Sequence, residues 1–115
     1  KAGPQTAALR KQLEAMPAGG VFVMAIPKAP YRCPPGPYER ASLIAHYLKN
    51  ERPRSKLIVF DANPEVQAKK GLFEAAWRDR YAGQLQYVPN AEIERVDAAT
   101  RTLHLEKGVL LGEVA

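Results

Sequence analysis

Two apolar runs without alternation, Gly20 to Ile26 and Lys56 to Asp61, constrain this chain more than any other feature. A strand with one wet face alternates apolar and polar side chains, and a strand covered on both faces does not. Both runs therefore read as strands of a parallel sheet. Between them, from Pro37 to about Asn50, Tyr38, Ala41, Ile44, Ala45 and Leu48 form one apolar stripe at helical spacing. Pro37 suits a first helical turn, where its φ is preset and its missing N–H would have had no partner. Strand, helix and strand joined by short connections imply a right-handed crossover.

The flanking segments extend the pattern. Pro4 to Met16 reads as a helix through Leu9, Leu13 and Met16, stopped by Pro17 and Gly19-Gly20. Asn63-Pro64 signals a turn, and Lys70 to Tyr81 reads as a helix with Phe73, Ala76, Trp77 and Arg80 on one face, ended by Gly83. Leu85 to Val88 is a short third strand. After Pro89-Asn90 the period changes, and Ile93–Val96, Thr102–Leu105 and Val109–Leu111, with a turn at Glu106-Lys107-Gly108, suggest a small antiparallel meander. The expected class is α/β: a Rossmann-like three-layer fold with a parallel sheet in the order 3-2-1, plus that β-meander. Residues 1–17 form a lead-in helix and residues 18–115 a second dinucleotide-binding-like domain. We expect the chain to be an excised domain of a longer protein.

At 115 residues the chain can bury a core without disulfides or metals. Its formal charge of +5 comes from scattered residues. The densest groups, Arg52-Pro53-Arg54-Ser55-Lys56 and Lys69-Lys70, lack interleaved aromatics for stacking on bases, so a solvated basic surface is favoured over nucleic-acid binding. A single cysteine excludes an internal disulfide, and with only His46 and His104 beside it no metal site is expected. No apolar run approaches the ~20 residues of a membrane span.

The loop between the first strand and the second helix departs from the nucleotide-binding pattern. Such a turn is normally glycine-rich, so that backbone N–H groups can approach a pyrophosphate. Here it reads Tyr31-Arg32-Cys33-Pro34-Pro35-Gly36-Pro37-Tyr38-Glu39-Arg40. A lone cysteine is often a small buried apolar residue. Cys33, however, lies just before a helix N-terminus with Arg32 and Arg40 nearby, a setting that favours an anionic, reactive sulfur. Glu39 reads as a solvated first-turn glutamate, or as a proton shuttle for sulfur chemistry if the loop is covered. Asp61 stands where dinucleotide folds keep a ribose-binding acid, but without the glycine motif a turn or capping role is the better reading. His46 reads as a surface residue and Trp77 as core filler. Leu43 and Tyr47 lie opposite the main stripe, either as scattered exposed groups or as a patch covered by another domain.

Val21-Phe22-Val23-Met24-Ala25-Ile26-Pro27, the Tyr31 to Ser42 stretch, and Lys56-Leu57-Ile58-Val59-Phe60-Asp61 resemble the flavoprotein subunit of flavocytochrome c sulfide dehydrogenases. The opening Gln5 to Glu14 is similar to the helix leading into that subunit's second domain. The resemblance implies a parent in the pyridine nucleotide-disulfide oxidoreductase superfamily. That parent would hold FAD, mostly through residues outside this chain, and would pass electrons to a cytochrome c subunit or another acceptor protein. The cysteine matching Cys33 would pair with a distant cysteine as a redox-active disulfide. Sulfide would attack that disulfide, and the resulting persulfide would reduce the flavin. Glu39 would match a candidate acid/base, and the location would be the periplasm. Three alternatives remain open at this stage: an NAD(P)-binding domain with a degenerate loop, a persulfide carrier, and a noncatalytic interaction module.

Overall fold

The computed structural model describes residues 4–15, 19–97, 99, 102–105 and 108–111. Its elements run α1 (Pro4–Ala15), β1 (Val21–Ile26), α2 (Gly36–Glu51), β2 (Lys56–Asp61), α3 (Lys70–Arg80), β3 (Leu85–Val88), β4 (Ile93–Asp97), β5 (Thr102–Leu105) and β6 (Gly108–Leu111). Met16 as a helix end and Glu106-Lys107 as a turn lie outside the described residues.

β1 pairs with β2 in parallel, from Val21 opposite Lys56 to Ile26 opposite Asp61, and β2 pairs with β3 in parallel. The strand order β1-β2-β3 is the 3-2-1 sheet expected from the sequence, and β4, β5 and β6 form the antiparallel meander. The architecture is α/β and Rossmann-like.

The stripe on α2 is the core face: Tyr38, Ala41, Ile44, Ala45 and Leu48 are all buried. They pack with Leu13 of α1, Phe22 and Ile26 of β1, Leu57 and Val59 of β2, and Phe73 and Trp77 of α3. Fully burying side chains of the size of Ile44 or Leu48 contributes about 1.5–3 kcal/mol each. The rings of Tyr38, Phe73, Trp77 and Tyr87 follow one another at centroid separations of 5.4–6.2 Å. Trp77 is core filler, as expected, and is also anchored, because its Nε1–H donates to Ser42 Oγ at 2.9 Å.

A second apolar cluster lies around Phe60 and Ala91, with Val23, Ile58, Val88 and Ile93 packed against it. In each strand these residues alternate with those of the main core, so they mark the other face of the sheet. Coverage there is thinner than the sequence suggests. Ala25 is exposed and Val21, Val23 and Met24 are half-buried. The cause is position: β1 sits at the edge of this three-stranded sheet, while the second cluster centres on β2.

Candidate functional site

The loop from Pro27 to Pro35 brings Cys33 to the surface at the carboxyl end of β1, just ahead of the 16-residue helix α2. Cys33 has φ of 56°, in the left-handed region, and its carbonyl accepts the Gly36 N–H at 2.9 Å. A non-glycine residue held there costs on the order of 1–2 kcal/mol, so neighbouring contacts must fix it. A Cβ on Gly36 would meet Cys33 Sγ at 3.4 Å, an ordinary van der Waals contact, so the turn does not require glycine there for space. Arg32 and Arg40 are both exposed.

The same loop is poorly equipped to hold a pyrophosphate. Pro34, Pro35 and Pro37 have no N–H, the Gly36 N–H is taken by Cys33, and the Glu39 N–H is taken by the Pro35 carbonyl at 2.9 Å. That leaves the Tyr38 N–H as the only uncommitted backbone donor between Pro34 and Glu39, where a dinucleotide loop offers several. Neither the pyrophosphate of NAD(P) nor that of FAD fits this turn. Isothermal titration of the protein with NAD and NADP should therefore detect no micromolar binding, and a micromolar isotherm would restore the NAD(P)-binding alternative.

Glu39 is exposed in the first turn of α2. It lines a groove of about 720 Å³ whose walls include Leu9, Arg10 and Leu13 of α1 and Gly36, Glu39, Arg40 and Leu43 of α2. The second apolar patch of α2 is thus a groove wall facing α1. Leu43 stays 71% exposed there, and Tyr47 is half-buried. Gly36 links the two sequence-predicted site residues, because it borders the groove beside Glu39 and donates its N–H to the Cys33 carbonyl. His46 is exposed and bonds Asn50 at 3.0 Å. Among the described residues no cluster of three or more His, Cys, Asp and Glu side chains could hold a metal ion, and no helix is long and apolar enough to cross a membrane.

Sequence reasoning missed the polar centre behind the loop. Asp61, at the end of β2, is completely buried, and both of its oxygens are engaged. Oδ2 accepts the Tyr38 hydroxyl at 2.7 Å and the Tyr87 hydroxyl at 2.6 Å. Oδ1 accepts the backbone N–H of Asn63 at 3.0 Å and its Nδ2 at 2.8 Å. All four donors are neutral, so the carboxylate is solvated by the fold itself. The expected turn role is present in the Asn63 N–H bond, but it is only one part of what Asp61 does. The available signal was a strand-terminal acid together with tyrosines on the buried stripe, whose hydroxyls need partners.

Burial, followed by the hydrogen bonds with Tyr31 and Asp61, pushes the Tyr38 phenol well above the ordinary tyrosine range. Burial and then the Asp61 hydrogen bond do the same for Tyr87. Both phenols stay protonated in the folded chain where an unfolded chain ionises, near pH ~10. Their stabilising contribution is therefore complete below about pH 10 and shrinks as pH rises beyond it, by about 1.4 kcal/mol per pH unit for each retained proton. An alkaline spectrophotometric titration should show Tyr38 and Tyr87 forming tyrosinate only as the fold is lost. Ionisation of all five tyrosines with the fold intact would contradict the buried network.

A family model described as "Sulfide dehydrogenase [flavocytochrome c] flavoprotein chain, central" matches residues 6–114. Among solved structures, a cysteine-to-serine mutant of the HOCl-induced flavoprotein disulfide reductase RclA from Escherichia coli, as its Cu(II) complex, is similar at 17% identity and a TM-score of 0.48. The alignment covers 84% of this chain and 20% of that one, so the chain spans about a fifth of the length of that reductase.

Proposed function

Because this chain belongs to the family formed by the central part of the flavoprotein chain of sulfide dehydrogenase (flavocytochrome c), we propose that Cys33 is one half of a redox-active disulfide in a FAD-dependent oxidoreductase acting on sulfide. One observation carries the reading. The chain's single cysteine is exposed, fixed in a left-handed turn, and placed ahead of a helix N-terminus whose loop is unsuited to nucleotide phosphates. A loop in the position of a cofactor loop has been given to sulfur.

The partner cysteine lies outside residues 1–115. Hydrosulfide attacks one sulfur of the disulfide, the old S–S bond breaks, and a new one forms to the incoming sulfur. One cysteine then carries a persulfide and the other leaves as a thiolate, so charge and atoms balance. Glu39, in the first turn of α2 beside the groove that Gly36 also lines, takes the proton released by the persulfide. FAD, held by other parts of the parent, supplies chemistry suited to accepting an electron pair and passing electrons on singly. The acceptor is a cytochrome c subunit or another electron-acceptor protein. A persistent disulfide suits an oxidising compartment, which favours the periplasm.

Peptide mapping of the oxidised flavoprotein under non-reducing conditions tests the pairing. Cys33 should be recovered linked to a cysteine beyond this chain, and recovery of Cys33 as a free thiol would overturn the proposal. Glu39→Gln should retain the disulfide and slow sulfide turnover by roughly 100- to 10,000-fold, the usual scale of lost acid–base assistance. Steady-state rates at saturating sulfide would measure it, and a rate within twofold of the parent's would remove Glu39 from the mechanism.

A further inference from the structure

Asp61 does more than end a strand, because its hydrogen-bond network reaches both ends of the loop that carries Cys33. At the leading end, Asn63 is the intermediary. Its Nδ2 donates to Asp61 Oδ1 at 2.8 Å and to the Pro27 carbonyl at 3.0 Å, and its Oδ1 accepts the Ala29 N–H at 2.9 Å. At the trailing end the path runs through two tyrosines. Tyr38 donates to Asp61 Oδ2 at 2.7 Å and accepts the Gln67 N–H at 3.1 Å. The Tyr31 hydroxyl shares its one proton between the Tyr38 hydroxyl at 3.4 Å and the Pro34 carbonyl, next to Cys33, at 3.3 Å. Cys33 therefore sits between two tethers that share one buried carboxylate.

We propose that Asp61, acting through Asn63 and Tyr38–Tyr31, is the positioning residue that holds Cys33 in its left-handed turn before α2. The physical need is clear. The left-handed conformation is uphill for cysteine, and three prolines around it cannot donate stabilising backbone bonds. Left free, the residue relaxes to negative φ, the Gly36 N–H loses the Cys33 carbonyl, and the sulfur leaves its exposed place ahead of α2. An acid at the end of the second strand, where dinucleotide folds bind a ribose, has here been turned inward to set the geometry of a sulfur. Assigning that geometry to sulfide oxidation rests on the function proposed above; the tethering itself does not.

Two substitutions loosen one end each and spare the sheet: Asn63→Ala at the leading end and Tyr31→Phe at the trailing end. Both are made in the reduced flavoprotein that contains this chain. Hydrogen exchange at the Gly36 amide reports the turn, exchange at Leu57 and Val59 reports the core, and mass-spectrometric quantification of iodoacetamide labelling reports Cys33. Each variant should speed Gly36 exchange at least tenfold with Leu57 and Val59 unchanged, and should slow Cys33 labelling at least threefold. A general loss of structure would instead speed all three amides together. Unchanged Gly36 exchange or unchanged labelling in both variants would overturn the proposal, as would faster exchange throughout the core in both. Sulfide is absent from these measurements, so a flavoprotein that fails to oxidise sulfide would refute the proposed substrate while leaving the tethering to be judged on its own data.

Discussion

Asp61→Ala is expected to lower the stability of this protein by about 3–5 kcal/mol. Four donors converge on that carboxylate: the hydroxyls of Tyr38 and Tyr87, and the backbone and side-chain N–H groups of Asn63. Alanine leaves them without an acceptor, and each donor so orphaned in a buried position costs about 1–3 kcal/mol, less for the half-buried Tyr87. Losing a buried charge returns part of that sum, which keeps the net below the total for four groups. A domain of this size has roughly 5–15 kcal/mol of stability in all, so a large fraction is at stake. With a urea m-value near ~2 kcal/mol/M, the unfolding midpoint should fall by about 1.5–2.5 M. Asp61→Asn keeps one acceptor and should fall between the two proteins. A midpoint for Asp61→Ala within about 0.3 M of the parent's would show that the network contributes little.

The fold was legible where pattern and packing coincide. The runs Lys56–Asp61 and Leu85–Val88 became β2 and β3 with the same bounds, and the α2 stripe read from Tyr38 to Leu48 is the buried face of that helix. β1 was over-read. An unbroken apolar run implies cover on both faces, but Ala25 is exposed because apolar patterning cannot say whether a strand is central or at an edge. The helical period correctly separated Leu43 and Tyr47 from the main stripe. It could not show that α1 forms the opposite wall of a groove, since that contact joins segments about thirty residues apart.

At the site, residue type and position singled out Cys33 and Glu39 as candidates, and the structure places one exposed ahead of α2 and the other exposed in its first turn. The tether to Asp61 was not visible, because Tyr38 was read only for its ring. A tyrosine on a buried stripe carries a hydroxyl that must find a partner, and the nearest buried acceptor was the acid assigned to a turn. Asn63 was likewise read only as a turn residue, although its amide spans the strand end and the sulfur loop.

The second large effect concerns the sulfur. Serine has the shape of cysteine but cannot form a disulfide, and an exposed residue at the end of a loop tolerates the change without loss of fold. In the flavoprotein that contains this chain, Cys33→Ser should leave FAD bound, because the residues around Cys33 offer no cradle for its pyrophosphate. On the function proposed above, sulfide would then find no S–S bond to attack. The decisive measurement is anaerobic mixing of sulfide with the wild-type and Cys33→Ser flavoproteins, following flavin bleaching. Rapid bleaching is expected in the wild type, and none above background in Cys33→Ser at equal flavin content. Bleaching of the variant at the wild-type rate would contradict it and return Cys33 to the role of an ordinary surface residue.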